Sequence, residues 1–152
     1  MNCLGTLEVI SRFLFRDDYD QQLNVKPKVF SPSKSQNAIS VYRLGRLTIA
    51  SCERLLSLEE GWRLADEMIP SRDHKGSIVA RTDFSVGHVE KLDEGLSVVE
   101  DTKDHPRHAH IQPFPTLAES ASEDEQNAYH KRRQTLRNKL VVGLKAQLRN
   151  SL

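Results

Sequence analysis

The chain has 152 residues, which suffice for one domain with a buried core but not for two. Apolar residues make up 38% and charged residues 28% of it, a composition typical of a globular chain and not of a disordered one. Two cysteines without CxxC spacing argue against a disulfide framework, and no apolar run approaches the roughly 20 residues of a membrane span. With no leader pattern at the N-terminus, we expect a soluble cytoplasmic protein without a membrane partner.

The charge is distributed unevenly along the chain. The net charge is +1, but residues 126–152 contain seven Lys or Arg and no Asp or Glu. The first 125 residues therefore hold 15 basic and 21 acidic side chains. This asymmetry predicts a basic C-terminal segment with an acidic partner, which is a protein, a second copy of the chain or nucleic acid.

Alternation of apolar and polar residues predicts most of the strands. Residues 25–30 contain Pro27 and can form an edge strand at best, because proline has no N–H to donate. In the strand 38–44, Ile39, Val41 and Arg43 share one face. The remaining predicted strands are 7–15, 77–82, 96–100 and 107–114.

Helical spacing of apolar residues predicts a helix over 48–69 that begins at Thr48 and has Gly61 as a possible break. Its second half has a capping pair in Ser57 and Glu60. A short helix begins at Asp83 or Ser85. The last helix begins with the capping box of Ser122 and Glu125 and is expected to run to about Asn150.

The order of these elements predicts an α+β fold with a single mixed β-sheet and helices packed on it. Residues 1–118 form the α+β domain in this interpretation. Residues 119–152 form a helical arm, which is long, amphipathic and basic.

Three of the six histidines lie between Asp104 and Pro115. In a strand His108 and His110 point to the same face about 7 Å apart, and Gln112 follows on that face. Such a pair suits a metal ion or a phosphate. A zinc site needs one or two further ligands, and His105, Asp104 or Asp101 could supply them only by folding of the loop. The alternative is that these histidines are ordinary polar residues of a half-exposed strand.

The stretch His108-Ala109-His110-Ile111-Gln112 resembles the H-x-H-x-Q motif of one branch of the histidine triad superfamily. That branch includes galactose-1-phosphate uridylyltransferase and dinucleoside tetraphosphate phosphorylases. The resemblance implies that His110 is a nucleophile toward phosphorus and that His108 and Gln112 support it. The preceding residues 101–104 depart from the Asn, Gly and Ser residues of the family.

A broader pattern is similar to that of a group of small, uncharacterised bacterial α+β proteins. It consists of the Phe30-Ser31-Pro32 turn and the segments 39–43, 95–101 and 108–111. This resemblance implies a bacterial origin and carries no activity.

Two further sets of residues are candidate binding sites. Arg43 offers a planar guanidinium for an anion if it lies within the sheet. The C-terminal helix combines basic residues with a leucine stripe, and both are candidates for binding a partner or nucleic acid. These residues are Lys131, Arg132, Arg133, Arg137 and Lys139, with Leu136, Leu140 and Leu144 in the stripe.

No dinucleotide-binding, Walker A, zincin or serine-hydrolase motif occurs, and we expect no cofactor. The sequence therefore favours a non-catalytic protein that acts through a protein partner or by self-association, as an accessory subunit of a multi-component system. The alternatives are a phosphate-chemistry enzyme that uses His108, His110 and Gln112, and nucleic-acid binding through the basic helix.

Overall fold

The computed structural model describes residues 5–46, 55–68, 78–103 and 105–149. In these ranges it has six strands and three α-helices. The strands are β1 (Glu8–Leu14), β2 (Ile39–Arg46), β3 (Ala80–Ser85), β4 (Ser97–Glu100), β5 (His108–Gln112) and β6 (Gln147–Leu148). The helices are α1 (Leu58–Met68), α2 (Val86–Glu90) and α3 (Glu123–Leu140). None of these helices is both long and apolar enough to cross a membrane.

The six strands form one sheet in the order β4-β5-β2-β1-β3-β6. The predicted α+β class is confirmed. The sheet is antiparallel at all five strand pairings, however, where a mixed sheet was predicted. Adjacent antiparallel strands need no crossover helix, so β1 pairs directly with β2, and β4 with β5.

The two faces of the sheet are covered differently. The core face carries the main apolar cluster, in which α2, α3 and the segment after α3 pack on residues such as Ile10, Val41 and Ile111. The opposite face, here called the histidine face, carries Tyr42 and both strand histidines. Helix α1 packs on this face through a second cluster of Phe13, Tyr42, Leu44, Trp62, Leu64, Ala65 and Ile78.

Two predicted elements are wrong in detail. Pro27–Phe30 forms a 3₁₀ turn, because Pro27 suits the first position of a helical turn. Only Val25 keeps a strand-like bridge, to Tyr19. Helix α3 ends at Leu140 and not near Asn150: Gly143 has φ +77° and turns the chain back, so that residues 147–148 pair with β3.

The capping predictions agree with the structure. The hydroxyl oxygen of Ser122 accepts from the Glu125 backbone N–H, and the Glu125 carboxylate accepts from the Ser122 backbone N–H. Ser57 and Glu60 make the same reciprocal pair before α1. Ser85 caps α2 by accepting from the His88 backbone N–H. The predicted helix start at Thr48 lies outside the described residues.

Leu140→Ala is expected to lower the free energy of unfolding by about 2–5 kcal/mol, because its side chain is 0% exposed in the main core. The matched control is Val142→Ala, two residues on, where the side chain is 69% exposed. That control should change the free energy by less than about 0.5 kcal/mol. Urea unfolding of both variants checks this, and equal losses would contradict the packing of the C-terminal helix on the body.

Candidate metal centre

Strand β5 places two histidines on the same face of the sheet, because side chains alternate along a strand. Its register with β2 sets His108 opposite Tyr42 and His110 opposite Ser40. The two imidazole rings lie edge to face with centroids 4.6 Å apart. The side chains that follow them in the chain, Ala109 and Ile111, are fully buried on the core face.

Asp101 joins the two histidines from the neighbouring strand. It directly follows β4, and its backbone N–H donates to the carbonyl of His108, which continues the β4–β5 ladder by one residue. Its carboxylate oxygen Oδ2 lies 3.5 Å from Nε2 of His110. One ligand atom from each of Asp101, His108 and His110 lies within 4.8 Å of the others.

These three donors have the chemistry of a divalent metal site. Zinc binds imidazole nitrogen and carboxylate oxygen at about 2.0–2.2 Å, which in a tetrahedral site separates neighbouring donors by about 3.4 Å. Side-chain rotations that bring the donors closer by up to about 1.4 Å would therefore be enough. Among the described residues, this is the one group of His, Cys, Asp and Glu side chains that has metal-ligand spacing.

Neighbouring groups orient two of the three donors. The Ser40 hydroxyl lies 3.1 Å from Nε2 of His108, and the ring of His108 lies 5.4 Å from that of Tyr42. Tyr42 in turn stacks on Phe13 at 5.1 Å. The backbone N–H of Lys103 lies 3.4 Å from Oδ1 of Asp101. Contacts of this kind fix ring and carboxylate orientation at metal sites.

The histidine that the sequence offered as a third ligand lies elsewhere. Nε2 of His105 lies 3.3 Å from a carboxylate oxygen of Glu67 on α1, and Nδ1 accepts from the Arg107 backbone N–H. Asp101, another of the three candidate further ligands, lies in the cluster instead. The strand prediction contained the necessary signal, since pairing of 96–100 with 107–114 as a hairpin sets residue 101 opposite His108. Asp104 lies outside the described residues.

Gln112 lies on the histidine face, as expected, two residues beyond His110 and opposite Ser97 of β4. Its side chain is half-buried. No described contact joins it to the three donors.

Arg43 lies at the other side of the sheet. It pairs in register with Ile10, and strand alternation directs it away from Tyr42 and the histidines. Its Nε donates to Glu8 at 2.7 Å and its Nη1 to Glu100 at 3.2 Å, in a cluster where the Glu8 side chain is fully buried. The Arg43 guanidinium is therefore paired with two carboxylates of the same chain.

The basic residues of α3 mostly contact the protein's own body. Arg132 and Lys139 both bind the Glu94 carboxylate. Arg133 donates to the Pro32 carbonyl and the Tyr129 hydroxyl, and Arg137 lies 3.4 Å from the Ser31 hydroxyl. Lys131 is exposed. The leucine stripe is buried in the main core, where Leu136, Leu140 and Leu144 are 1%, 0% and 7% exposed.

The chain matches no family model, and no curated protein or solved structure is detectably similar to it. The two resemblances described above therefore stay predictions from the motif residues.

Arg43→Ala is expected to lower the free energy of unfolding by about 3–5 kcal/mol, because it leaves the buried Glu8 carboxylate without its 2.7 Å partner. Adding Glu8→Gln to this variant should recover part of the loss, since the buried carboxylate charge is then removed. Chemical denaturation of the single and double variants measures both steps. A stability-neutral Arg43→Ala would show that the guanidinium serves a purpose other than this ion pair.

Glu94 gives a pH-dependent contact between α3 and the loop before β4. Hydrogen bonds from Lys139, and next from Arg132, hold the pKa of the Glu94 carboxyl below its usual range. The folded state therefore gains stability from this carboxylate above the ordinary glutamate pKa of 4.5, and loses it as pH falls through the lowered value.

Glu94→Gln should accordingly be less stable than wild type near neutral pH and equally stable in strong acid. Unfolding curves of both proteins across the acid range check this. A stability difference that stayed constant with pH would contradict the ion pairs.

Proposed function

We propose that this protein binds a divalent transition-metal ion through Asp101, His108 and His110. The observation that carries this proposal is the gathering of the three ligand atoms within 4.8 Å of one another. Two imidazoles and one carboxylate are a donor set used for zinc and for non-haem iron. Magnesium and calcium prefer oxygen ligands alone, so this set favours a transition metal over either of them.

The position of the carboxylate separates this proposal from direct phosphate chemistry on His110. The Asp101 carboxylate lies 3.5 Å from Nε2 of His110, on the imidazole that would attack phosphorus. A carboxylate at that distance repels an approaching phosphate and attracts a cation. The guanidinium of Arg43 is directed to the other face by strand alternation and pairs with Glu8 and Glu100. The site without metal therefore suits a cation better than an anion.

Burial also supports a metal site. His108 is 7% exposed as a residue, and the side chains of His110 and Asp101 are 22% and 14% exposed. The donors are therefore partly removed from water while remaining accessible. The strand backbone that holds them is anchored from below by Val98, Ala109 and Ile111, which lie in the main core. Donors on anchored strands lose little conformational entropy when they bind an ion.

The role through a protein partner, which the sequence favours, has less structural support. The leucines expected to form a docking stripe pack in the protein's own core, and four of the five basic residues beside them contact the same chain. A partner would therefore have to bind another surface.

His110→Ala is expected to weaken zinc binding by more than about a hundredfold, because loss of a direct ligand exceeds the 10–100-fold effect of losing a supporting contact. Asp101→Asn and His108→Ala should behave alike, and Ser40→Ala should lose about 10–100-fold. Isothermal titration of each protein with zinc chloride measures these constants.

The matched control is His105→Ala, which removes a neighbouring histidine that contacts Glu67 instead of the cluster. It should bind zinc like the wild type, and circular dichroism should show that all variants are folded. Wild-type zinc affinity in His110→Ala would end the proposal. Loss of zinc binding in His105→Ala would restore the ligand set first predicted from the sequence.

A further inference from the structure

Three protein donors do not complete the coordination of a bound metal ion. Zinc takes four ligands, whereas iron and cobalt take up to six. Among the described residues, the cluster has three members. One or more positions on the ion therefore remain for ligands that these residues do not supply.

The open positions of an ion bound here would lie on its side away from the sheet. The donors come from β5 and the end of β4, which are adjacent strands, so they approach an ion from the same side. Ser40 occupies that side as well, beside His108 and opposite His110. The 22% exposure of the His110 side chain shows that solvent reaches the cluster.

Metal binding changes the sign of the local charge. Without metal, Asp101 gives the cluster a negative charge and opposes anions. A divalent ion bound by one carboxylate and two neutral imidazoles leaves a net charge of +1. Oxygen anions are attracted to such a centre and can occupy its open positions.

Gln112 supplies a hydrogen-bond donor at the His110 end of the cluster. It follows His110 on the same face of the strand, about 7 Å further along. The Gln112 side chain is long enough to reach back over that distance toward His110. Its amide N–H groups donate hydrogen bonds without adding charge. A metal-bound ligand that extends toward the C-terminal end of β5 would contact this amide.

From these observations we infer that the metal centre holds a small oxyanion, a carboxylate or a phosphate, with Gln112 donating to an outer oxygen. The inference rests on the metal-binding function proposed above. Binding is a ligand exchange, in which an oxygen of the anion replaces a water molecule on the metal and no bond within the anion breaks.

The test uses the full chain loaded with Co²⁺, whose visible absorption reports the ligands around the ion. The first step titrates Co²⁺ into the protein, and the second titrates inorganic phosphate or acetate into the Co²⁺-saturated protein at constant ionic strength. We expect a saturable spectral change in the second step, and the stronger of the two titrations identifies the anion class.

Failure at each step has a different meaning. A protein that does not bind Co²⁺ overturns the metal site and the oxyanion site together. A protein that binds Co²⁺ but shows no spectral change with either anion keeps the metal site and overturns the oxyanion site.

Gln112→Ala tests the assigned donor. Loss of a hydrogen bond to a charged ligand should raise the phosphate or acetate dissociation constant of the Co²⁺-saturated protein roughly tenfold. The matched control is Gln134→Ala, which removes an exposed glutamine on α3 and should leave the constant unchanged. Equal anion affinity in Gln112→Ala and wild type would overturn the role of Gln112.

Discussion

The register of β5 between β2 and β4 is the constraint on which the rest of the site depends. It sets Ala109 opposite Val41 and Ile111 opposite Ile39 on the core face, and thereby leaves His108 and His110 on the opposite face. A slip of one residue would bury both imidazoles in the apolar core and expose Ala109 and Ile111 to solvent. The free energy of apolar burial on one face therefore fixes the positions of the polar donors on the other.

The same register creates a polar row across the histidine face. Successive pairings set Asp83 opposite Ser11, Ser11 opposite Tyr42 and Tyr42 opposite His108, and Asp101 follows through its backbone bond to His108. Burial raises the pKa of the Asp83 carboxyl, although the nearby Arg81 opposes this. The row thus has a carboxylate at each end, one paired with a guanidinium and the other with an imidazole.

Local signals in the sequence were enough to predict the elements that depend on near neighbours. The capping boxes before α1 and α3, the cap of α2 and the strands around Ile10, Val41 and Val98 all follow from side chains within a few residues of each other. The end of α3 was missed because the leucine spacing continues past Leu140, whereas Gly143 and the pairing of residues 147–148 with β3 decide the path. That pairing joins residues far apart in the chain, which no local pattern reports.

The residues of the candidate site also separate into those that local pattern predicts and those that depend on long-range strand pairing. Strand alternation alone predicts that His108 and His110 share a face. The third donor depends on which strand pairs with β5 and in which register, so Asp101 could be named only as one of several nearby groups. Arg43 shows the reverse case, because its place on a strand was predicted while its partners Glu8 and Glu100 come from two other strands.

A metal ion at this position would also bind together one edge of the sheet. Strand β4 lies at the edge, has four residues and pairs only with β5 among the described strands. An ion shared by Asp101 and the two histidines would link the end of β4 to β5 at the point where the ladder stops. Binding energy at such a site adds to folding stability, because the unfolded chain does not hold the donors together. With an ion bound, the site and the edge hairpin would therefore form one cooperative unit, in which the order of the hairpin and the affinity for the ion depend on each other.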